Sequence, residues 1–122
     1  MFSINIENAT MKNKNYRKVL YTDSKQQLVV MCLGVGESIP LEKHNNGSQF
    51  FRVEQGSGVA KTFNTSGKKV IKTMRIKDGM SFIIHACTFH EVKNTGKKPL
   101  KLYTIYSPPQ HNHGTIQKNA KP

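Results

Sequence analysis

Glu42, His44 and Gln49 bring a carboxylate, an imidazole and an amide into one short stretch, GESIPLEKHNNGSQFFRVEQG, which runs from Gly36 to Gly56. Carboxylate and imidazole are the common protein ligands for divalent transition metals and also the usual acid–base groups. Glu42 and His44 are two apart, so on an extended strand they share a face. Asn45-Asn46-Gly47-Ser48 is turn chemistry, and the strand that returns after it carries Gln49, Phe51 and Val53 on one face and Phe50, Arg52 and Glu54 on the other. If that hairpin closes with Gln49 toward Glu42 and His44, three metal-capable groups meet on one interior surface. The plainer alternative is that they line a solvated cavity and hydrogen-bond one another.

The elements that would position these groups read as strands throughout. Residues 18–22, 27–33, 38–44, 49–54, 58–64, 69–76, 80–85, 90–94 and 100–107 are short runs rich in Val, Ile, Phe, Tyr and Thr, separated by Gly-, Asn-, Asp- and Ser-containing turns. No window of helical length shows helical periodicity, and many short strands at regular spacing predict an all-β sandwich or barrel. Residues 1–15 form a polar N-terminal arm, 16–107 the folded body and 108–122 a C-terminal tail without a core pattern. Residues 27–33 are apolar on both faces. They predict a strand covered by the opposite sheet and, on its other side, by the arm or a partner subunit.

At 122 residues the chain makes one domain, which buries roughly two-thirds of the surface of its unfolded form. The formal charge of +12 comes mainly from dispersed lysines, without an arginine cluster or interleaved aromatics, so a solvated basic surface is favoured over a nucleic-acid face. Cys32 and Cys87 have no spacing that suggests a disulfide framework or a four-cysteine zinc site, and they read as free thiols. The first residues lack the apolar core of a signal peptide, and no run reaches membrane-spanning length. A soluble, cytoplasmic protein is expected.

Gly36, five residues, Glu42-x-His44, four residues, Gln49, six residues, Gly56 is a spacing that resembles the first cupin motif. Gly79, five residues, His85-x-Cys87, two residues, His90, three residues, Asn94 resembles the second, and 22 residues lie between them, as in small cupins. The ending LKLYTIYSPPQHNHGT is similar to that of small single-domain cupins described as sugar-phosphate isomerase-like. The resemblance covers residues 16 to 116 and implies an antiparallel jelly-roll β-barrel with Glu42, His44, Gln49 and His90 projecting into its mouth. It departs from the usual pattern where Glu42 stands for His, Gln49 for Glu, and His85 and Cys87 for Pro and Gly.

Two imidazoles and one carboxylate suit Fe, Mn, Zn, Ni or Co, and Gln49 adds a neutral carbonyl oxygen. The set keeps the single negative charge of the usual three-histidine, one-glutamate site, because the carboxylate has only changed position. Phe51, Val53 and Tyr106 are taken as pocket wall. Tyr103 and Tyr106 lie on opposite faces of one strand, and alternation alone does not say which turns inward. His85 and Cys87 fall in a turn where side chains point outward, and His111-Asn112-His113 reads as surface tail.

The function implied is that of a metal-dependent cupin enzyme or binder for a small anionic or sugar-like molecule, with lysines at the mouth favouring an anion. The alternative is a non-enzymatic jelly-roll binding or assembly module, such as a component of a virion or other large particle, favoured by the altered ligand set and the high charge. Either reading allows a homodimer, with residues 27–33 as its expected contact.

Overall fold

Residues 1–120 are described by the computed structural model, in which the turn-rich sequence folds as one short helix and ten strands. They are α1 (Ile6–Lys12), β1 (Arg17–Thr22), β2 (Gln27–Leu33), β3 (Ser38–Glu42), β4 (Ser48–Gln55), β5 (Ser57–Phe63), β6 (Val70–Lys77), β7 (Ser81–Ile84), β8 (His90–Asn94), β9 (Leu100–Ser107) and β10 (Ile116–Gln117). All pairings are antiparallel. One sheet has the order β10-β1-β2-β9-β4-β7 and the other β3-β8-β5-β6, giving an all-β jelly-roll.

Strict alternation builds the interior. In β4, Gln49, Phe51 and Val53 are buried while Phe50, Arg52 and Glu54 face the other way. Val29, Met31 and Leu33 of β2, Phe51 and Val53 of β4 and Leu100 and Leu102 of β9 pack against Ile39, Ala60, Ile76 and Val92 of the second sheet. Each fully buried aliphatic or Phe side chain contributes roughly 1.5–3 kcal/mol relative to exposure.

The arm is laid on the body. Asn5 caps α1 by accepting a hydrogen bond from the Asn8 N–H at 3.0 Å, and Lys101 Nζ donates to the Met11 carbonyl at the other end. The helix lies over β9, β4 and β2, burying Thr10 completely. Seven residues make only two turns, too short for a periodic signal in the sequence and too short to be stable without the sheet beneath.

The doubly apolar strand is thereby explained, and its expected dimer contact is displaced. β2 is paired on one edge with β1 and on the other with β9, and Val30 on its outer face is only 1% exposed. No free edge remains there for a second subunit to extend.

The tail is tied back as well. Buried Gln27 donates from Nε2 to the His111 carbonyl at 2.8 Å and accepts at Oε1 from the Gln110 and His111 N–H groups at 3.2 and 3.1 Å. Beyond this anchor, β10 pairs with Arg17 and Lys18 of β1. The strand expected over 38–44 ends at Glu42, leaving His44 in the turn that follows.

Candidate metal site

β3 is an edge strand, which is why it can carry Pro40, a residue with no N–H for a ladder. Its register against β8 is regular at Ser38 and Ile39, shifts across Pro40, and resumes with Glu42 opposite His90. Such a bulge re-aims the side chains beyond it. The Glu42 Oε1 atom lies 3.3 Å from His90 Nε2 and 3.4 Å from His44 Nε2, and the ligand atoms of the three residues all fall within 4.8 Å of one another.

Backbone contacts fix the two histidines. The Cys87 N–H donates to the His44 carbonyl at 2.8 Å, so the turn of the second motif docks on the turn of the first. Cys87 has φ 64°, which sets its side chain outward, where Sγ donates to the Asn45 carbonyl at 3.3 Å. His90 Nδ1 lies 3.0 Å from the Thr88 carbonyl. A carbonyl only accepts, so Nδ1 carries a proton and Nε2 is the atom turned toward Glu42.

Polar atoms here are left without partners. Glu42 Oε1, His44 Nε2, His90 Nε2 and Gln49 Oε1 are all buried and have no hydrogen-bond partner. Buried polar atoms in folded proteins are nearly always satisfied. Protonating the imidazoles would answer Glu42, yet it would leave the Gln49 carbonyl oxygen unpaired, because that amide's Nε2 is already spent on Thr104 Oγ1 at 2.9 Å. A divalent cation is a single species that would answer the carboxylate and both imidazoles together, and the Glu42, His44 and His90 donor set fits one. Burial pushes the Glu42 carboxyl up, but the two imidazoles 3.4 and 3.3 Å away, when they carry the facing proton, outweigh it and bring it to about 2, so the group is ionised.

Of the expected pocket residues, Tyr106 turns inward and meets the His44 ring edge-on at 5.4 Å, while Tyr103 faces outward beside Phe50. Phe51 stacks on Phe82 at 4.6 Å and puts its edge toward His90 at 6.3 Å. Val53 lies in the core below them. Burial, reinforced by the negative charge of Glu42, raises the Tyr106 phenol well above its usual range, so it stays protonated. The side chains of His85 and Cys87 are exposed and lie outside the cluster.

His111, expected as surface tail, instead closes on the site. Its Nε2 is 3.2 Å from the Tyr106 hydroxyl. With Glu42 it lines a cleft of about 590 Å³ whose other walls include Tyr16, Arg17 and Gln117. Among the described residues no lysine lines this cleft. The cation in it is Arg17, a residue the motif spacing gave no reason to single out; its sequence signal is a charge at the start of a strand whose neighbours alternate inward.

The cupin domain model matches residues 29–106. The protein YrkC of Bacillus subtilis, itself uncharacterized, is 42% identical over 117 residues, spanning 96% of this chain and 62% of YrkC, so the chain covers less than two thirds of that relative's length. The uncharacterized protein L612 of Acanthamoeba polyphaga mimivirus is 38% identical, over 95% of this chain and 71% of its own. The crystal structure of BH2720 from Bacillus halodurans superposes with a TM-score of 0.93 at 41% identity, covering 96% of this chain and 88% of that one.

Proposed function

This chain belongs to the cupin domain family, and we propose that its barrel holds a divalent metal ion on Glu42, His44, Gln49 and His90 and uses it to bind or convert a small anionic or sugar-like ligand. One observation carries the reading: Glu42, His44 and His90 hold their ligand atoms within 4.8 Å of one another, and these atoms, like Gln49 Oε1, are buried without a hydrogen-bond partner. Fe, Mn, Zn, Ni and Co all accept this mixture of imidazole, carboxylate and carbonyl. When bound, such an ion supplies Lewis acidity at its open coordination positions.

The chain's own residues do the rest. Glu42 supplies the negative charge of the set, and as a ligand it is not free to be the general base. Thr104 orients the Gln49 amide, and the Thr88 carbonyl selects the His90 tautomer. Tyr106, protonated and beside both His44 and His111, is a hydrogen-bond donor within the pocket. The ending that resembles isomerase-like cupins folds so that His111 lines the cleft, as does Gln117 just beyond that ending, which supports a ligand seat there and leaves the reaction class open.

Thermal denaturation tests this reading. Chelator-treated protein given Fe, Mn, Zn, Ni or Co at a hundredfold excess over the dissociation constant gains about 2.7 kcal/mol, a rise in Tm of roughly 10 °C for a domain of this size. Absence of a shift with every one of these ions contradicts it.

A further inference from the structure

Arg17, at the start of β1, is 8% exposed and lines the same cleft as Glu42. Its partners are neutral. Nη1 donates to Gln117 Oε1 at 2.7 Å, the guanidinium sits 5.3 Å from the centroid of the Tyr16 ring, and it also contacts the Tyr106 hydroxyl. Nε is buried with no partner at all. Among the described residues no carboxylate forms an ion pair with it. The two carboxylates that line the cleft are committed elsewhere, Glu42 to the histidines and Glu37 to the Gly34 N–H at 2.6 Å.

Arginine does not deprotonate, so the cleft contains a permanent, buried positive charge with which no carboxylate among the described residues is paired. Such a charge is costly unless something pairs with it. Had the fold needed only structural satisfaction, an acid at position 117 would serve; an amide there fixes the direction of the guanidinium without neutralising it. The unpaired Nε belongs to a planar fork whose geometry matches a carboxylate.

We propose that Arg17 binds a carboxylate group of the ligand, so that the molecule taken by this cleft is a small organic acid. Its carboxylate is held by the guanidinium, and its other end faces Glu42, the residue of the proposed metal site that lines this cleft. The protonated Tyr106 hydroxyl, between Arg17 and His111, lies beside the anion seat. This assignment rests on the same site as the metal reading and names its ligand class and the residue that selects it.

The test is calorimetric titration of malonate, succinate and inorganic phosphate into the metal-loaded protein, alongside Arg17→Gln, Arg17→Lys and Arg17→Met, with metal content measured for each. A dicarboxylate is expected to bind the unaltered protein more tightly than phosphate. Arg17→Gln is expected to weaken that binding by roughly 30-fold or more, with unchanged metal content. Arg17→Lys, which keeps the charge and the fold but loses the fork, is expected to lose roughly tenfold. Without ligand, Arg17→Met is expected to melt no lower than the parent, because it removes that buried charge. The proposal is overturned if neither dicarboxylate binds, if phosphate binds more tightly, if Arg17→Gln and Arg17→Lys bind like the parent, or if Arg17→Met melts well below it. Metal-free protein whose dicarboxylate binding still needs Arg17 would reject the metal reading alone, and metal-loaded protein indifferent to Arg17 would reject this one alone.

Discussion

Glu42 and His90 face each other across the β3–β8 ladder, directly after the bulge between Ile39 and Glu42, and their side chains meet at 3.3 Å. The contact joins the two sequence motifs: one strand of each is hydrogen-bonded to the other, and the pairing register itself makes the site. A one-residue slip would turn either side chain to the opposite face.

In the proposed site Thr104 acts through Gln49. Thr104→Val removes the acceptor for Gln49 Nε2 and frees the amide to rotate. Metal affinity is expected to fall 10- to 100-fold, as for other residues that orient metal ligands. Gln49→Leu should lose a similar factor, and the double variant little more, because the two act as one unit. Competition against a chromophoric chelator measures all three; additive losses would separate Thr104 from the site.

Gln27 holds the tail. Gln27→Leu keeps the strand apolar but removes the side chain's bonds to the backbone of Gln110 and His111. A loss of about 1–3 kcal/mol is expected by chemical denaturation, since the backbone groups left behind are partly buried. Faster hydrogen exchange at the amides of Gln110 and His111 is the local signature. Unchanged exchange there would show that β10 alone fixes the tail.

The barrel and its first motif were legible in the sequence because their signals are local. Period-two alternation in Gln49 to Glu54 placed Gln49 inward, and turn chemistry delimited nearly every strand. The seven-residue α1 was not legible, because its burial comes from a sheet distant in sequence. His111 and Arg17 were missed for the same reason. His111 is placed by Gln27, 84 residues away, and Arg17 by Gln117, 100 residues away. Polar Gln27 at the head of an apolar strand was the one available hint, since a buried amide needs partners.

Gly58 on β5 is a packing position. An added Cβ would overlap the Lys93 carbonyl of neighbouring β8, and backbone in the middle of a sheet cannot retreat. Gly58→Ala is expected to destabilise by about 2–4 kcal/mol. Gly79→Ala, where φ is 90° but the space is open, should cost about 1 kcal/mol through backbone conformation alone. Equal losses at the two positions would show that the β5–β8 contact yields.

The thiols differ in environment. Burial pushes the Cys32 thiol up, whereas Cys87 is exposed at its turn. Iodoacetamide at pH 8 is expected to label Cys87 first, by peptide mass mapping, with Cys32 reacting only on unfolding. The folded state holds the Cys32 proton to higher pH than the unfolded chain does. Its contribution to stability is therefore present below the ordinary thiol value of 9.0 and is lost as pH rises through the raised folded value.

Metal content tests the site most directly. Protein purified without chelator or added metal should carry close to one divalent ion per chain by elemental analysis. Glu42→Ala and His90→Ala, folded by circular dichroism, should each carry almost none. An unaltered protein that binds no divalent ion at micromolar concentration, or variants that keep the full metal content of the parent, would contradict the site described for Glu42, His44, Gln49 and His90.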